Sequence, residues 1–273
     1  MKMRSIGLVV FSFSALNAYA GAINVDLGTA DPFAVLAGST VTNTGATKVH
    51  GDLGLWPGSA ITGFPPGIVS GGTIFDSDAV AMQAQSDLTT AYNFAAGESC
   101  GNTLTGENLG GLTLTPGVYC FASSAQLTGT LTLNAEGDPN AVFLFQIGSS
   151  LTTASASSVV FTNGGQGDSV FWQVGSSATL GTTTAFAGNI LALSSITLDT
   201  DANIGCGRAL ARNGAVTMDT NNVSIDTAGC EVTTGGAPEP ETATLLSVGL
   251  LVGLIVYGRQ SRKLASALPR SAS

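Results

Sequence analysis

Apolar and polar positions alternate along the second half of the chain in a repeated pattern. Four segments start with a small or apolar residue, place Thr second and end in Thr or Ser: Leu151–Ser155, Ala178–Thr182, Ile196–Thr200 and Val216–Thr220. They recur every 18 to 27 residues, and earlier stretches resemble them. A period of two predicts short strands with one face turned inward. Stacking such units would bury one continuous core, so the pattern predicts a β-solenoid.

More continuous apolar runs lie between these Thr-rich segments. The runs 141–147 and 169–174 predict the buried strands of neighbouring faces. A stacked β-sandwich is the competing fold. The equal register of Thr from one repeat to the next favours the solenoid.

One segment departs from the β pattern. Residues 76–96 begin with acids, contain good helix formers and stop at Gly97, which predicts one long α-helix. Its small apolar side chains fall on one stripe at helical spacing: Ala81, Ala84, Leu88, Ala91, Tyr92 and Ala95. A helix of this length measures about 30 Å, or about six rungs of a solenoid. We therefore expect it to lie along the stack and cover one face.

The two ends of the chain are predicted to be targeting signals. Residues 1–20 combine Lys2 and Arg4, an apolar run and Ala18-Tyr19-Ala20, which indicates a secretory signal peptide. Near the other end, Pro238-Glu239-Pro240 precedes an apolar run and a basic cluster. Residues 238–263 resemble a PEP-CTERM sorting signal, and residues 264–273 would form a short cytoplasmic tail. A plain membrane anchor is the alternative.

This resemblance implies a cellular location for the body of the protein, residues 21–237. PEP-CTERM signals of Gram-negative bacteria are processed by an exosortase, and the body is delivered to the cell surface or extracellular matrix. The apolar run is short for a stable transmembrane helix. Under either interpretation the body lies outside the cytoplasm.

The cysteines suit an oxidising compartment. Cys100, Cys120, Cys206 and Cys230 contain no C-x-x-C pair, so a zinc or thioredoxin-type site is not indicated. Three pairings are possible. We favour Cys100–Cys120 and Cys206–Cys230, because both close short loops; free buried thiols are the alternative.

Charge and histidine content exclude several functions. The full chain has a formal net charge of −9, and its body holds only Lys48, Arg208 and Arg212 against 16 acids. Such a body would repel nucleic acid. With a single histidine, His50, multi-His metal sites are excluded, and we expect no metal or other cofactor. Asp199 and Asp219 recur at equivalent positions, as a glycosidase would require, but solvated acids beside turns explain them better, and no enzyme is predicted.

Several motifs together resemble the microbial ice-binding family. They include Thr44-Gly45-Ala46-Thr47, Pro116-Gly117-Val118-Tyr119, Phe171-Trp172-Gln173-Val174 and Gly207-Arg208-Ala209-Leu210-Ala211, and the likeness runs from about residue 31 to 226. The resemblance implies a mainly β fold. It is a right-handed, discontinuous β-solenoid of triangular cross-section, flanked by one long helix, with interleaved N- and C-terminal rungs.

The resemblance also implies a site on a flat face that lacks the helix, where some members carry T-A/G-x-T/N motifs. Thr44–Thr47 fits this motif, while aligned repeats keep parts of it. The predicted ice-binding residues are Thr44, Thr47, Ser155, Ser158, Thr182, Thr200, Asn203 and Thr220.

The predicted function is therefore non-catalytic adsorption to the interface between ice and water by a secreted or surface protein. The alternative is a structural or adhesive matrix protein that binds a glycan or exopolysaccharide.

Overall fold

The computed structural model describes residues 23–164 and 169–226, which form one short 3-10 helix (Gly28–Ala30), one α-helix, α1 (Ala79–Gly97), and strands in three parallel sheets. Sheet 1 contains β1 (Phe33–Ala37), β4 (Asp52–Leu55), β7 (Ile74–Asp76), β8 (Asn102–Thr103), β10 (Gly117–Phe121), β13 (Phe143–Ile147), β16 (Val170–Val174), β19 (Asn189–Ala192) and β22 (Ala209–Ala211). Sheet 2 contains β2 (Thr40–Thr44), β5 (Ala60–Thr62), β11 (Ala125–Leu127), β14 (Leu151–Thr153), β17 (Ala178–Leu180), β20 (Ile196–Leu198) and β23 (Val216–Asp219). Sheet 3 contains β3 (Lys48–His50), β6 (Ile68–Ser70), β9 (Thr113–Leu114), β12 (Thr130–Asn134), β15 (Ser158–Thr162), β18 (Ala185–Phe186), β21 (Asn203–Ile204) and β24 (Asn222–Ser224).

Successive strands visit the three sheets in turn, so a complete rung contributes one strand to each side of a three-sided stack. The exception lies around α1, where β7 and β8 both belong to sheet 1 and β9 follows in sheet 3. The β-solenoid expected from the repeat is confirmed. The chain does not climb the stack continuously. Strand β1 lies between β22 and β4, so the first rungs of the chain pair with its last rungs. The interleaving implied by the family resemblance is therefore confirmed as well.

Helix α1 makes this order possible because it carries the chain from one end of the stack to the other. The chain leaves β7 at one edge of sheet 1 and re-enters at β8 on the opposite edge. Asp78 caps the helix by accepting a hydrogen bond from the backbone N–H of Ala81. The helix was predicted from residue 76. It begins at Ala79, because Asp76 still pairs with β4 and Ser77 adopts a left-handed conformation.

The stripe predicted to face the core does so. All six of its residues are buried, together with Gln85, whose amide donates to the carbonyl of Ala211. At the other end of the helix the Gln146 amide donates to the carbonyls of Ala95 and Glu98, at 2.8 and 2.7 Å. Sheet 1 is thus buried on both faces, which explains its continuous apolar runs.

An N-terminal segment that contains the 3-10 helix packs against the same helix. The Asp87 carboxylate accepts hydrogen bonds from the hydroxyl and the backbone N–H of Thr29, at 2.6 and 2.8 Å. These bonds, with a further one from Gln83, hold the pKa of Asp87 below its ordinary value. The carboxylate therefore links the helix to the segment that precedes β1.

Aromatic side chains stack inside the solenoid from rung to rung. Trp172 lies on Phe145 with 3.9 Å between ring centroids and 7° between planes, and Tyr119 continues the stack. The Trp172 indole N–H donates to the carbonyl of Ala187, so its buried polar atom is satisfied. This ladder joins neighbouring rungs in the middle of the core.

One disulfide fastens the chain just after the helix. Cys100 and Cys120 are bonded, which is the pairing that their spacing favoured. Cys206 is also disulfide-bonded, while its expected partner Cys230 lies outside the described residues. The predicted signal peptide and sorting segment also lie outside them. Within residues 23–164 and 169–226, no helix has the length and apolar character needed to cross a membrane.

Candidate functional site: a threonine face on sheet 2

Two of the three sides of the solenoid are open to solvent. Helix α1 covers sheet 1, so a flat surface for a partner must lie on sheet 2 or sheet 3. Most strands of sheet 2 are three residues long, and in β11, β14, β17 and β20 the central residue points outward between two buried neighbours. Leu151 and Thr153, for example, are buried on either side of exposed Thr152.

The residues predicted from the T-A/G-x-T/N motif gather at the corner between sheets 2 and 3. Thr44 ends β2, while four others are exposed in or beside the corner turns: Ser155, Thr182, Thr200 and Thr220. Ser158 and Asn203 start strands of sheet 3 and are half-buried. Thr47 is fully buried and cannot contact an external surface, so its predicted role in ice binding is wrong.

Thr220 also lies one residue out of line with Thr200, with which the predicted motif had matched it. The corner between β23 and β24 is one residue shorter than the next one: Asn222 follows Thr217 by five positions, whereas their partners Asn203 and Thr197 are six positions apart. Thr220 consequently occupies the left-handed position that Asp201 occupies in the next corner, with φ values of 57° and 59°. Val223, aligned with Asn203 in the motif, is instead buried.

Several polar groups at this corner already bind other parts of the protein. The hydroxyls of Thr200 and Thr220 both donate to the carboxylate of Asp219. The Thr47 hydroxyl accepts the backbone N–H of Asn221. These groups brace the corner, which leaves them less available to order external water.

A second set of threonines lies outside the predicted site. Four of its members occupy the second position of the repeated segments, and the whole set forms an in-register file along the centre of sheet 2. We call this file the threonine face; in order along the axis it consists of Thr152, Thr179, Thr197, Thr217, Thr42 and Thr62. The signal that could have found it is the apolar residue that directly precedes each of these threonines.

The hydroxyls of the threonine face are unengaged. Within the described residues, none of the six makes a side-chain hydrogen bond with another protein group. Adjacent strands place these side chains about 4.8 Å apart. The residue two positions before each of these threonines is small and neutral, as Ser150, Ser177 and Ser195 illustrate. The file therefore offers evenly spaced hydroxyl and methyl groups with no charge among them.

Sheet 3 differs in chemistry. Its outward positions include the charged Lys48, the imidazole of His50 and the large apolar Ile68, which is 59% exposed. Several of its polar groups are paired within the sheet, for example the Thr130 and Ser158 hydroxyls at 2.9 Å. Sheet 2 is the more uniform surface, and a uniform surface suits a partner that is itself periodic.

A three-sided solenoid with an open, uncharged file of hydroxyls presents a periodic surface, and comparison with known proteins specifies the family. The family profile described as "Ice-binding-like" matches residues 35–224. This chain belongs to the ice-binding family.

Individual relatives agree with this assignment. An ice-binding protein of Nostoc sp. (strain HG1) is 57% identical over 261 residues, covering 95% of this chain and 96% of the relative. A crystal structure of an ice-binding protein from an Antarctic biological consortium is 48% identical, with a TM-score of 0.71 over 82% of this chain and 96% of that one. The structure of an ice-binding protein from Antarctomyces psychrotrophicus is 41% identical, with a TM-score of 0.71 over 74% of this chain and 98% of that one. The adhesive alternative receives no support from these comparisons.

Proposed function

We propose that this protein adsorbs to ice through the threonine face and thereby limits the growth and recrystallisation of ice, without catalysing a reaction. The observation that carries the proposal is the in-register file of six threonines whose hydroxyls have no partner within the described residues. Family membership supports ice as the ligand.

The chemistry of threonine suits an ordered layer of water. Its hydroxyl both donates and accepts hydrogen bonds and anchors one water molecule. Its methyl group gives that water an apolar neighbour. Since the β-branched side chain is stiff at χ1, little rotamer freedom is lost on adsorption. The rigid spacing of the rungs then repeats each anchored water at a regular interval.

The absence of charge from the file also favours an ordered layer of water. A Lys or Glu would keep its own hydration shell, and moving that charge against ice would cost free energy. The acids nearest to the face lie at its border. Asp219, at the corner, has its carboxylate held by Thr200 and Thr220.

A pair of lysine substitutions tests the proposal. Thr197→Lys places a long charged side chain in the middle of the file and cuts its longest uninterrupted run from six threonines to three. Ala185→Lys adds the same charge at an exposed position of sheet 3. We expect the first variant to lose partitioning into a growing ice hemisphere and the second to retain it. Both must show the thermal midpoint of the parent protein.

Other outcomes would exclude the threonine face as the ice-binding site. Retained partitioning by Thr197→Lys would show that the file does not contact ice. Loss in Ala185→Lys alone would move the site to sheet 3. Failure of the parent protein to partition at all would overturn the proposed function itself.

We further propose that the body is exported and sorted to the surface of a Gram-negative cell. The arrangement of residues 1–20 supports export, and the Pro-Glu-Pro motif with its apolar run and basic cluster in 238–263 supports processing by an exosortase-type enzyme. Expression with and without residues 238–273 in a host that contains such an enzyme tests this. We expect surface retention and C-terminal processing only with the segment; equal distribution of both forms would contradict sorting.

A further inference from the structure

The position that follows Thr152 along the file is built like the others but carries a different residue. Strand β11 pairs with β14, which places Gln126 beside Thr152. Gln126 is exposed, while Ala125 and Leu127 on either side of it are fully buried. The backbone therefore provides a seventh outward position in register, and glutamine occupies it.

The rung beyond Gln126 does not continue the face. Asn108 forms the next backbone bridge, but its side-chain oxygen accepts the N–H groups of Gly110 and Thr128, at 2.8 and 3.0 Å. Glu107, immediately before it, is exposed and brings a charge to this end. Gln126 is consequently the last position at which the file could be extended.

Glutamine and threonine present different surfaces at such a position. The glutamine side chain is longer by two atoms and is unbranched, so it projects further above the sheet. It also has more rotatable bonds, and fixing them against a surface costs more entropy. Its terminal amide carries donors and an acceptor away from the level at which the threonine hydroxyls lie.

We propose that Gln126 sets the limit of the ice-binding surface along the solenoid axis. This inference rests on the proposed function, because it assigns the extent of the same face. The residue makes the contact end after six rungs although the fold supplies seven.

Three variants of the full chain test the assignment. Gln126→Thr extends the file from six threonines to seven and should raise thermal hysteresis by at least about 1.2-fold at equal concentration, if rungs contribute additively. Gln126→Ala removes the projecting amide without supplying a hydroxyl and should leave the parent value nearly unchanged. Ala185→Thr adds a threonine on sheet 3 as the matched control and should also leave it unchanged.

The results separate this inference from the proposed function. If the parent is active and Thr197→Lys is inactive, but Gln126→Thr gives no gain, then Gln126 is not the limit and the proposed function stands. An equal gain from Gln126→Ala or Ala185→Thr would also overturn the inference, because the gain would not come from lengthening the file. If the parent shows no thermal hysteresis, the proposed function fails first. Equal thermal midpoints establish that all variants are folded.

Discussion

Removing one hydroxyl from the threonine face and one from the neighbouring corner should affect two different properties. Thr217→Val and Thr200→Val are the same chemical change at two exposed threonines. The Thr217 hydroxyl has no protein partner within the described residues, whereas the Thr200 hydroxyl donates to Asp219. The first change should alter adsorption to ice, and the second should alter stability.

The expected changes in stability and in ice affinity follow from these contacts. Thr217→Val keeps the branched shape, so its free energy of unfolding should stay within about 0.5 kcal/mol of the parent. Loss of one anchored water should weaken ice affinity by about 0.5–1.5 kcal/mol, roughly 2- to 10-fold. Thr200→Val should lower the free energy of unfolding by about 1 kcal/mol, which shifts the thermal midpoint by about 2–4 °C in a domain of this size.

Two assays measure the pair of variants. Thermal unfolding followed by circular dichroism reports stability, and partitioning between ice and solution over a concentration series reports affinity. If Thr217→Val lowered the midpoint as much as Thr200→Val, its hydroxyl would be structural. If Thr200→Val lost ice affinity while Thr217→Val kept it, the corner would be the binding site and the reasoning would be refuted.

Two further predictions concern the scaffold. Trp172→Ala removes the ring that stacks on Phe145 and should lower the free energy of unfolding by about 3–5 kcal/mol in urea titrations; a loss below about 1 kcal/mol would show that the aromatic ladder is dispensable. Because the folded state lowers the pKa of Asp87, its contribution to stability is present above the unfolded-state pKa and is lost as pH falls through the folded value. The thermal midpoint of the parent should therefore fall more than that of Asp87→Ala on acidification below about pH 4, and parallel curves would contradict the role of Thr29 as its partner.

Much of the fold could be predicted from the sequence because the periodicity is local. The apolar–Thr–apolar alternation located strands such as β20 and β23, and the small-residue stripe of α1 identified the helix that covers sheet 1. The order of the rungs, in contrast, could not be predicted from the periodicity. Nothing in the period indicates that β1 pairs with β22, and that expectation came from the family resemblance alone.

The site was harder to predict because it depends on register at the corners and on hydrogen-bond partners. A corner shortened by one residue moves Thr220 out of line with Thr200, and the segment sequences do not reveal this. Nor does the sequence show that Asp219 engages both hydroxyls, or that Thr47 points into the core. The second-position threonines of the repeat are the simpler signal, and they make up four of the six members of the open file.

The junction between β23 and β2 has a consequence for how the protein is made. Thr217 and Thr42 become neighbours only after almost the whole domain has been synthesised, since 174 residues separate them in the chain. A nascent or truncated polypeptide ending before β23 holds two short ladders, of two and three threonines, that no strand joins. The six-residue threonine face proposed to bind ice is thus complete only when β23 has folded between β20 and β2.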